Sequence, residues 1–295
     1  MARMKGEINV TSDAWFESGE RVPADAHALF ARVSGAGPWL TFLHGFPTSS
    51  WDWSRVVPAL DRRGRCLCFD FLGFGDSDKP RRHRYSIVEQ ADLTEALWRR
   101  YGVQETVLVG HDYGATVAQE LIARHDEGAL AARLAGAVLL NAAVYVELAR
   151  PLLVQRLLVN PLSGPVTARA VTERVFARSF ASIFSEAHPI GQDEIREHWR
   201  VLGRRGGTAQ IAHRLSRYMA DRRRYAERWE RSLERTTVPL RFVWGMGDPR
   251  SGAHVAERIR ERVPGATLVE LDDVGHYPQL EVPERVAAEI CAAFE

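Results

Sequence analysis

The chain has 295 residues, near-average apolar and charged content and a formal net charge of +1, enough for one large core plus an inserted subdomain. Its basic residues are almost all arginine and are spread along the sequence, so no nucleic-acid or membrane partner is expected and the expected substrate is small, apolar and uncharged. Lys5 and Lys79 are the only lysines, and neither lies in an apolar strand pattern, which argues against Schiff-base chemistry.

From Met1 to Trp15 no apolar run follows the basic residues, so a signal peptide is not expected. The longest apolar run, Ala135–Val146, falls short of the roughly 18 residues of a membrane span. Short apolar runs bounded by Gly, Pro or Asp predict strands at His27–Val33, Trp39–Leu43, Arg65–Phe69, Thr106–Val109, Ala135–Leu140, Leu240–Trp244 and Ala266–Leu271. Cys66 and Cys68 alternate within one of these runs and Cys291 sits in an amphipathic C-terminal pattern. Neither a metal site nor a disulfide framework is indicated, and a reducing cytoplasm is the simplest location.

Helical patterns separate several of the strands. Ser86 and Glu89 form an S-x-x-E cap ahead of a helix ending near Arg100, and Val117–Ala123 continues a helix directly out of the Thr106–Val109 strand. This alternation predicts an α/β fold with a doubly wound, mostly parallel sheet. Between Val144 and Thr236 the text becomes Arg-rich, helical and strandless, with breaks at Pro151, Pro161, Gly164, Pro165 and Gly206-Gly207. Residues 144–236 are therefore expected to be a helical cap, inserted between the two parts of one core domain, residues 1–143 and 237–295.

Candidate chemistry concentrates where strands end. Gly110-His111-Asp112-Tyr113-Gly114 places an aspartate between two glycines at a strand-to-helix turn, the setting in which a nucleophile is held exposed above a sheet. The bland alternative is that Asp112 only caps the helix. His44-Gly45-Phe46-Pro47 follows the Trp39–Leu43 strand, and the Phe46 and Tyr113 N–H groups are expected to form an oxyanion hole, with His44 beside the substrate. Asp248, in Gly245-Met246-Gly247-Asp248-Pro249, and His276, in Gly275-His276-Tyr277-Pro278, complete the order nucleophile, acid, histidine. Asp272 and Asp273 are weaker rivals for the acid, and Asn141 is excluded by its neutrality. The clusters Arg62-Arg63, Arg81-Arg82, Arg204-Arg205 and Arg222–Arg224 are read as solvated faces with no ligand.

The elbow with aspartate at its centre, together with His-Gly-x-Pro, resembles the epoxide hydrolase and haloalkane dehalogenase branch of the α/β hydrolases over nearly the whole chain. Within it the sequence looks closest to the mesoderm-specific transcript group and its bacterial relatives, through HGFPTSS at His44–Ser50, DFLGFGDSDKP at Asp70–Pro80, HDYGATVAQEL at His111–Leu121 and HYPQLE at His276–Glu281. RPLLVQRLL at Arg150–Leu158 extends the match into the expected cap. Haloalkane dehalogenases typically hold the halide with Trp after the nucleophile and with Asn in the oxyanion turn or another Trp, where this chain has Tyr113 and Phe46. Epoxide hydrolases usually protonate the epoxide oxygen from two cap tyrosines; here Tyr218 is the best single candidate, with Tyr145 and Tyr225 behind it.

A carboxylate nucleophile attacks sp³ carbon to give an alkyl ester, which a histidine-activated water then hydrolyses. The expected reaction is opening of an epoxide to a diol, with halide release from a haloalkane as the alternative and a binding or regulatory protein on a retained scaffold as the third reading. Phe176, Phe180, Ile183, Phe184 and Trp199 are expected to line a water-poor pocket, and no metal or organic cofactor is implied.

Overall fold

A computed structural model describes residues 10–294; Lys5 and most of the N-terminal stretch read for a leader lie outside them. The strands are β1 (Glu20–Ala24), β2 (His27–Gly35), β3 (Trp39–Leu43), β4 (Arg65–Phe69), β5 (Glu105–His111), β6 (Arg133–Leu140), β7 (Leu240–Gly245) and β8 (Thr267–Leu271). Among the described residues they form one eight-stranded sheet in the order β1-β2-β4-β3-β5-β6-β7-β8. The pairs β1/β2 and β2/β4 are antiparallel and all later neighbours are parallel. All the predicted strands form, with ends that shift by two residues at most. β1 was not predicted: it is a half-exposed edge strand containing Pro23, a residue that weakens a strand pattern and is tolerated only at an edge.

Side chains alternate across the sheet with the period of two that a pleated strand imposes. Leu108, Leu139 and Phe242 face one core, while Val107, Val109, Val138, Leu140 and Val243 face the other. Helices α1 (Ser12–Glu17) and α2 (Val57–Leu60) contribute Trp15, Phe16, Val57 and Leu60 to the second core. α3 (Ile87–Tyr101) and α4 (Tyr113–Asp126) bury Leu93, Leu97, Val117 and Leu121 in the first. Ser86 caps α3 as expected, its hydroxyl accepting from the Glu89 N–H, although the Glu89 carboxylate turns away to His83.

Between β6 and β7 the chain leaves the sheet for α5 (Leu153–Val159), α6 (Gly164–Ala170), α7 (Glu173–Ala181), α8 (Gln192–Leu202), α9 (Thr208–Leu215), α10 (Tyr218–Arg224) and α11 (Ala226–Arg235). It returns through α12 (Ala253–Arg262), α13 (Pro278–Glu281) and α14 (Pro283–Cys291). Cys66 and Cys68 are buried in β4, and all three cysteines are free thiols. No helix among the described residues is long and apolar enough to cross a membrane.

Candidate active site

Parallel register brings the ends of β3, β5, β6, β7 and β8 to one edge of the sheet, since Leu43 pairs with Gly110, Leu140 with Val243, and Gly245 with Leu271. The loops leaving these ends carry Phe46, Asp112, Asn141, Asp248 and His276, so residues far apart in sequence converge where open α/β sheets place their sites.

Asp112 sits at the N-terminal boundary of α4 with φ of 45° and ψ of −103°, a conformation costly for any residue bearing a Cβ. The flanking glycines permit it. A Cβ on Gly114 would stand 2.1 Å from the Leu43 carbonyl oxygen, and one on Gly110 would stand 3.0 Å from Ala115 Cα. The Phe46 N–H donates to Asp112 Oδ2 at 3.2 Å. The Tyr113 N–H, the second donor expected, opens α4 without an intrahelical acceptor and makes no bond to the carboxylate.

Asp112 has an unexpected cation beside it. Arg222 is buried; its Nη2 donates to the Asp112 carbonyl oxygen at 3.1 Å and to Oδ1 at 3.4 Å, and its Nε donates to Thr116 Oγ1 at 2.8 Å. Burial alone would raise the Asp112 pKa, but the charges of Arg222 and then His276, with the Phe46 N–H, outweigh it, so the carboxyl lies below its usual range and is ionised at neutral pH. This corrects the reading of Arg222–Arg224 as a solvated run: Arg223 and Arg224 are exposed, whereas Arg222 points inward from α10. Arg204 and Arg205 also find a ligand, both bonding the carboxylate of Asp76. Arg62, Arg63, Arg81 and Arg82 are exposed as expected.

His276 Nδ1–H donates to Asp248 Oδ2 at 2.7 Å. Ser251 Oγ and Asn141 Nδ2 donate to the same oxygen, and the Arg250 N–H donates to Oδ1. Burial works against ionised Asp248, yet these donors and the His276 charge hold its pKa well below the usual carboxylate range. Burial would likewise push His276 down; Asp248, and then Asp112, hold it above its ordinary value. Asn141 is thus a support for the acid. Asp272 and Asp273 are exposed, and Asp273 pairs with His188 instead. His111 is buried and neutral, its pKa pushed down to about 3 by burial and by His276, and its Nε2–H donates to the His276 carbonyl oxygen.

A cavity of about 140 Å³ lies over this cluster, lined by Asp112, His276, Phe46, Tyr218 and Arg222 at its floor. Phe176, Phe180 and Ile183 line it as expected; Phe184 and Trp199 do not. Phe184 stacks on Tyr277, and Trp199 packs against Phe176 with ring centroids 5.6 Å apart, both against the apolar cluster that also holds Phe176, Phe180 and Ile183. His44 is also displaced from its expected role. It is fully buried, Nδ1–H donates to the Gly45 carbonyl and Nε2 accepts from the Phe71 N–H, so both nitrogens hold the turn and neither faces substrate. Tyr218 and Arg222 are one helical turn apart, with the guanidinium 4.7 Å above the phenol ring. Tyr145 and Tyr225 do not line the cavity.

A model of the α/β hydrolase fold family matches residues 38–283. The chain belongs to that family. It is 42% identical to LipZ of Mycobacterium tuberculosis, whose name describes it as a hydrolase, over 92% of this chain and 94% of that one. It is 38% identical to the mesoderm-specific transcript homolog protein of Homo sapiens, over 94% of this chain and 86% of that one. Both likenesses agree with the resemblance read from the motifs. The fold matches haloalkane dehalogenase DbeA from Bradyrhizobium elkani (TM-score 0.80, 21% identity, 94% and 97% covered). It also matches the epoxide hydrolase CorEH (TM-score 0.76, 18% identity, 94% and 98% covered).

Proposed function

We propose that this hydrolase opens epoxides to diols through an alkyl ester on Asp112, with residues 144–236 acting as a cap over the reaction. One observation carries the reading: the elbow side chain is an ionised carboxylate at the floor of an apolar cavity, next to a histidine anchored by a second carboxylate. A carboxylate needs no base to attack, and the alkyl ester it forms has a carbonyl carbon for water to attack.

In the first step Asp112 Oδ1 displaces the epoxide oxygen from carbon, while the Phe46 N–H keeps Oδ2 in place. The electron pair of the breaking bond moves to the leaving oxygen, and Tyr218 gives that oxygen its proton. Arg222 answers the question left by the missing second tyrosine. As charge leaves the carboxylate through the substrate oxygen for the Tyr218 oxygen, the guanidinium that held Oδ1 stabilises the phenolate so formed. Burial, and then Asp112, keep the Tyr218 pKa high in the free enzyme; esterification removes the second of these effects.

Esterification also prepares the second step. His276 is held above its ordinary pKa partly by the Asp112 charge, and loss of that charge lowers it toward the neutral base. Neutral His276 then takes a proton from water, which attacks the ester carbonyl, and Asp248 stabilises the imidazolium. The tetrahedral intermediate collapses by breaking the ester C–O bond, the departing diol oxygen takes the proton from the imidazolium, and the proton left on the Asp112 carboxyl returns to the Tyr218 phenolate.

Arg222 also favours a second reading, halide release, because a guanidinium in a dry pocket can hold a leaving halide without Trp or Asn. A panel of epoxides and haloalkanes incubated with purified protein separates the two. The proposal expects diol formation that Tyr218→Phe lowers by about 10²-fold. Halide release from chloroalkanes or bromoalkanes with no diol from any epoxide would replace it by the second reading. An intact acid and histidine around Asp112 gives a mere binding protein no advantage, since recognition needs only pocket shape.

A further inference from the structure

We propose that the outer face of α5, α6 and α7 docks on an anionic lipid bilayer, from which apolar substrate reaches the cavity. Among the described residues the exposed large apolar side chains are Val33 and five others, and all five fall between positions 153 and 175. Leu153 is 72%, Leu162 89% and Val166 66% exposed, with Leu157 and Val175 completing the set. Clustered exposure of this kind marks an interaction surface, whereas scattered single residues mark nothing.

Charge points to the partner. From Arg150 to Arg178 the chain carries five arginines (150, 156, 169, 174 and 178) and one acid, Glu173. All five are exposed, and none has an ion-pair partner among the described residues. Elsewhere Arg21, Arg124, Arg200, Arg204, Arg228 and Arg241 each meet a carboxylate; other exposed arginines, such as Arg62, Arg99 and Arg223, lie outside the stretch that carries the five exposed apolar side chains. On α5, Leu153, Arg156 and Leu157 recur at helical spacing on one exposed face. Apolar side chains flanked by unpaired arginines suit the interface of an anionic bilayer, where the former enter the acyl boundary and the latter meet headgroups. A second copy of the chain fits poorly, because an isologous contact would set these arginines against their own copies.

The same segment opens into the cavity. Pro151, Leu152, Val154 and Leu158 line it from the inner side, while Arg150 and Val175 are both exposed and part of its wall. The docking face therefore borders the mouth, and an apolar molecule dissolved in the bilayer can pass to Asp112 without crossing water.

Flotation of the full chain with vesicles tests it. Binding is expected to vesicles of phosphatidylcholine mixed with phosphatidylglycerol and to weaken with salt, with little binding to phosphatidylcholine alone. Arg156→Gln with Arg169→Gln should reduce vesicle affinity about thirtyfold, at about fivefold per neutralised arginine. Leu153→Ser with Leu157→Ser should abolish what remains at high salt. Neither pair touches the cavity wall, so hydrolysis of a water-soluble substrate should stay unchanged and report intact folding. Wild-type protein that ignores anionic vesicles at low salt would overturn the proposal. So would unchanged vesicle binding in both variants, or a dimer in solution that Leu153→Ser with Leu157→Ser converts to monomer without any vesicle binding.

Discussion

Arg222 and Arg156 belong to helices of the same excursion and stand in opposite conditions. Arg222 is buried, touches Thr116 and both the carbonyl and the carboxylate of Asp112, and lies over the Tyr218 ring. Arg156 is exposed beside Leu153 and Leu157 with no acidic partner. At the cavity floor the polar groups of Asp248 and His276 are bonded, and a buried ion left without its partner costs several kcal/mol. On the outer face no carboxylate among the described residues pairs with the arginines, and the apolar side chains stay exposed. The contrast separates residues that answer to internal chemistry from residues that answer to an external surface.

Substitutions at the cavity floor should have the largest effects. Asp112→Ala should lower kcat by at least about 10³-fold in protein that circular dichroism shows to be folded, with some loss of melting temperature because Arg222 loses its carboxylate partner; activity within tenfold would remove Asp112 as the nucleophile. Gly114→Ala drives a Cβ toward the Leu43 carbonyl, 2.1 Å away, and should cost about 2–4 kcal/mol of stability by thermal or denaturant unfolding. Arg222→Met should reduce kcat about 10²-fold. It should also move the acid limb of kcat/KM to higher pH, because Asp112 loses the largest of the charges that lower its pKa. Arg222→Lys should restore the limb more fully than the rate, since the charge returns without the planar donor pair.

His276 makes the floor sensitive to pH. Its pKa is raised in the free protein, and the base must be neutral, so kcat should fall about tenfold per unit as pH drops through the pKa of the ester form. The limb should lie below the pKa that direct titration gives for free His276, because the ester carries no Asp112 charge. The smallest effect belongs to the outer face, where Leu153→Ser should change stability by no more than about 0.5 kcal/mol. Leu139→Ala, inside the sheet, should cost about 2–5 kcal/mol.

The sheet and the Asp112, Asp248 and His276 loops were legible because each rests on a local pattern: an apolar run, a glycine-flanked turn, an Asp or His just past a strand end. Arg222 was not, because a run of three arginines carries no mark of which one faces inward; that is set by the rotation of α10 over α4. His44 misled for the reverse reason, since the His-Gly-x-Pro turn is real but its imidazole is spent on the Gly45 and Phe71 backbone. Phe184 continues the four-residue spacing of Phe176 and Phe180 in sequence but lies past the end of α7, and Trp199 belongs to α8; only tertiary packing decides which aromatic meets the cavity. Among the described N-terminal residues, β1 escaped notice because Pro23 and its exposed positions dilute the alternation.

A covalent ester on Asp112 is the intermediate on which this chemistry turns, and intact-mass measurement of His276→Gln exposed to an epoxide that the wild type turns over would trap it. The expected product is protein heavier by the mass of the epoxide, with the added group on the peptide containing Asp112. Unmodified protein, or label on any other residue, would contradict it.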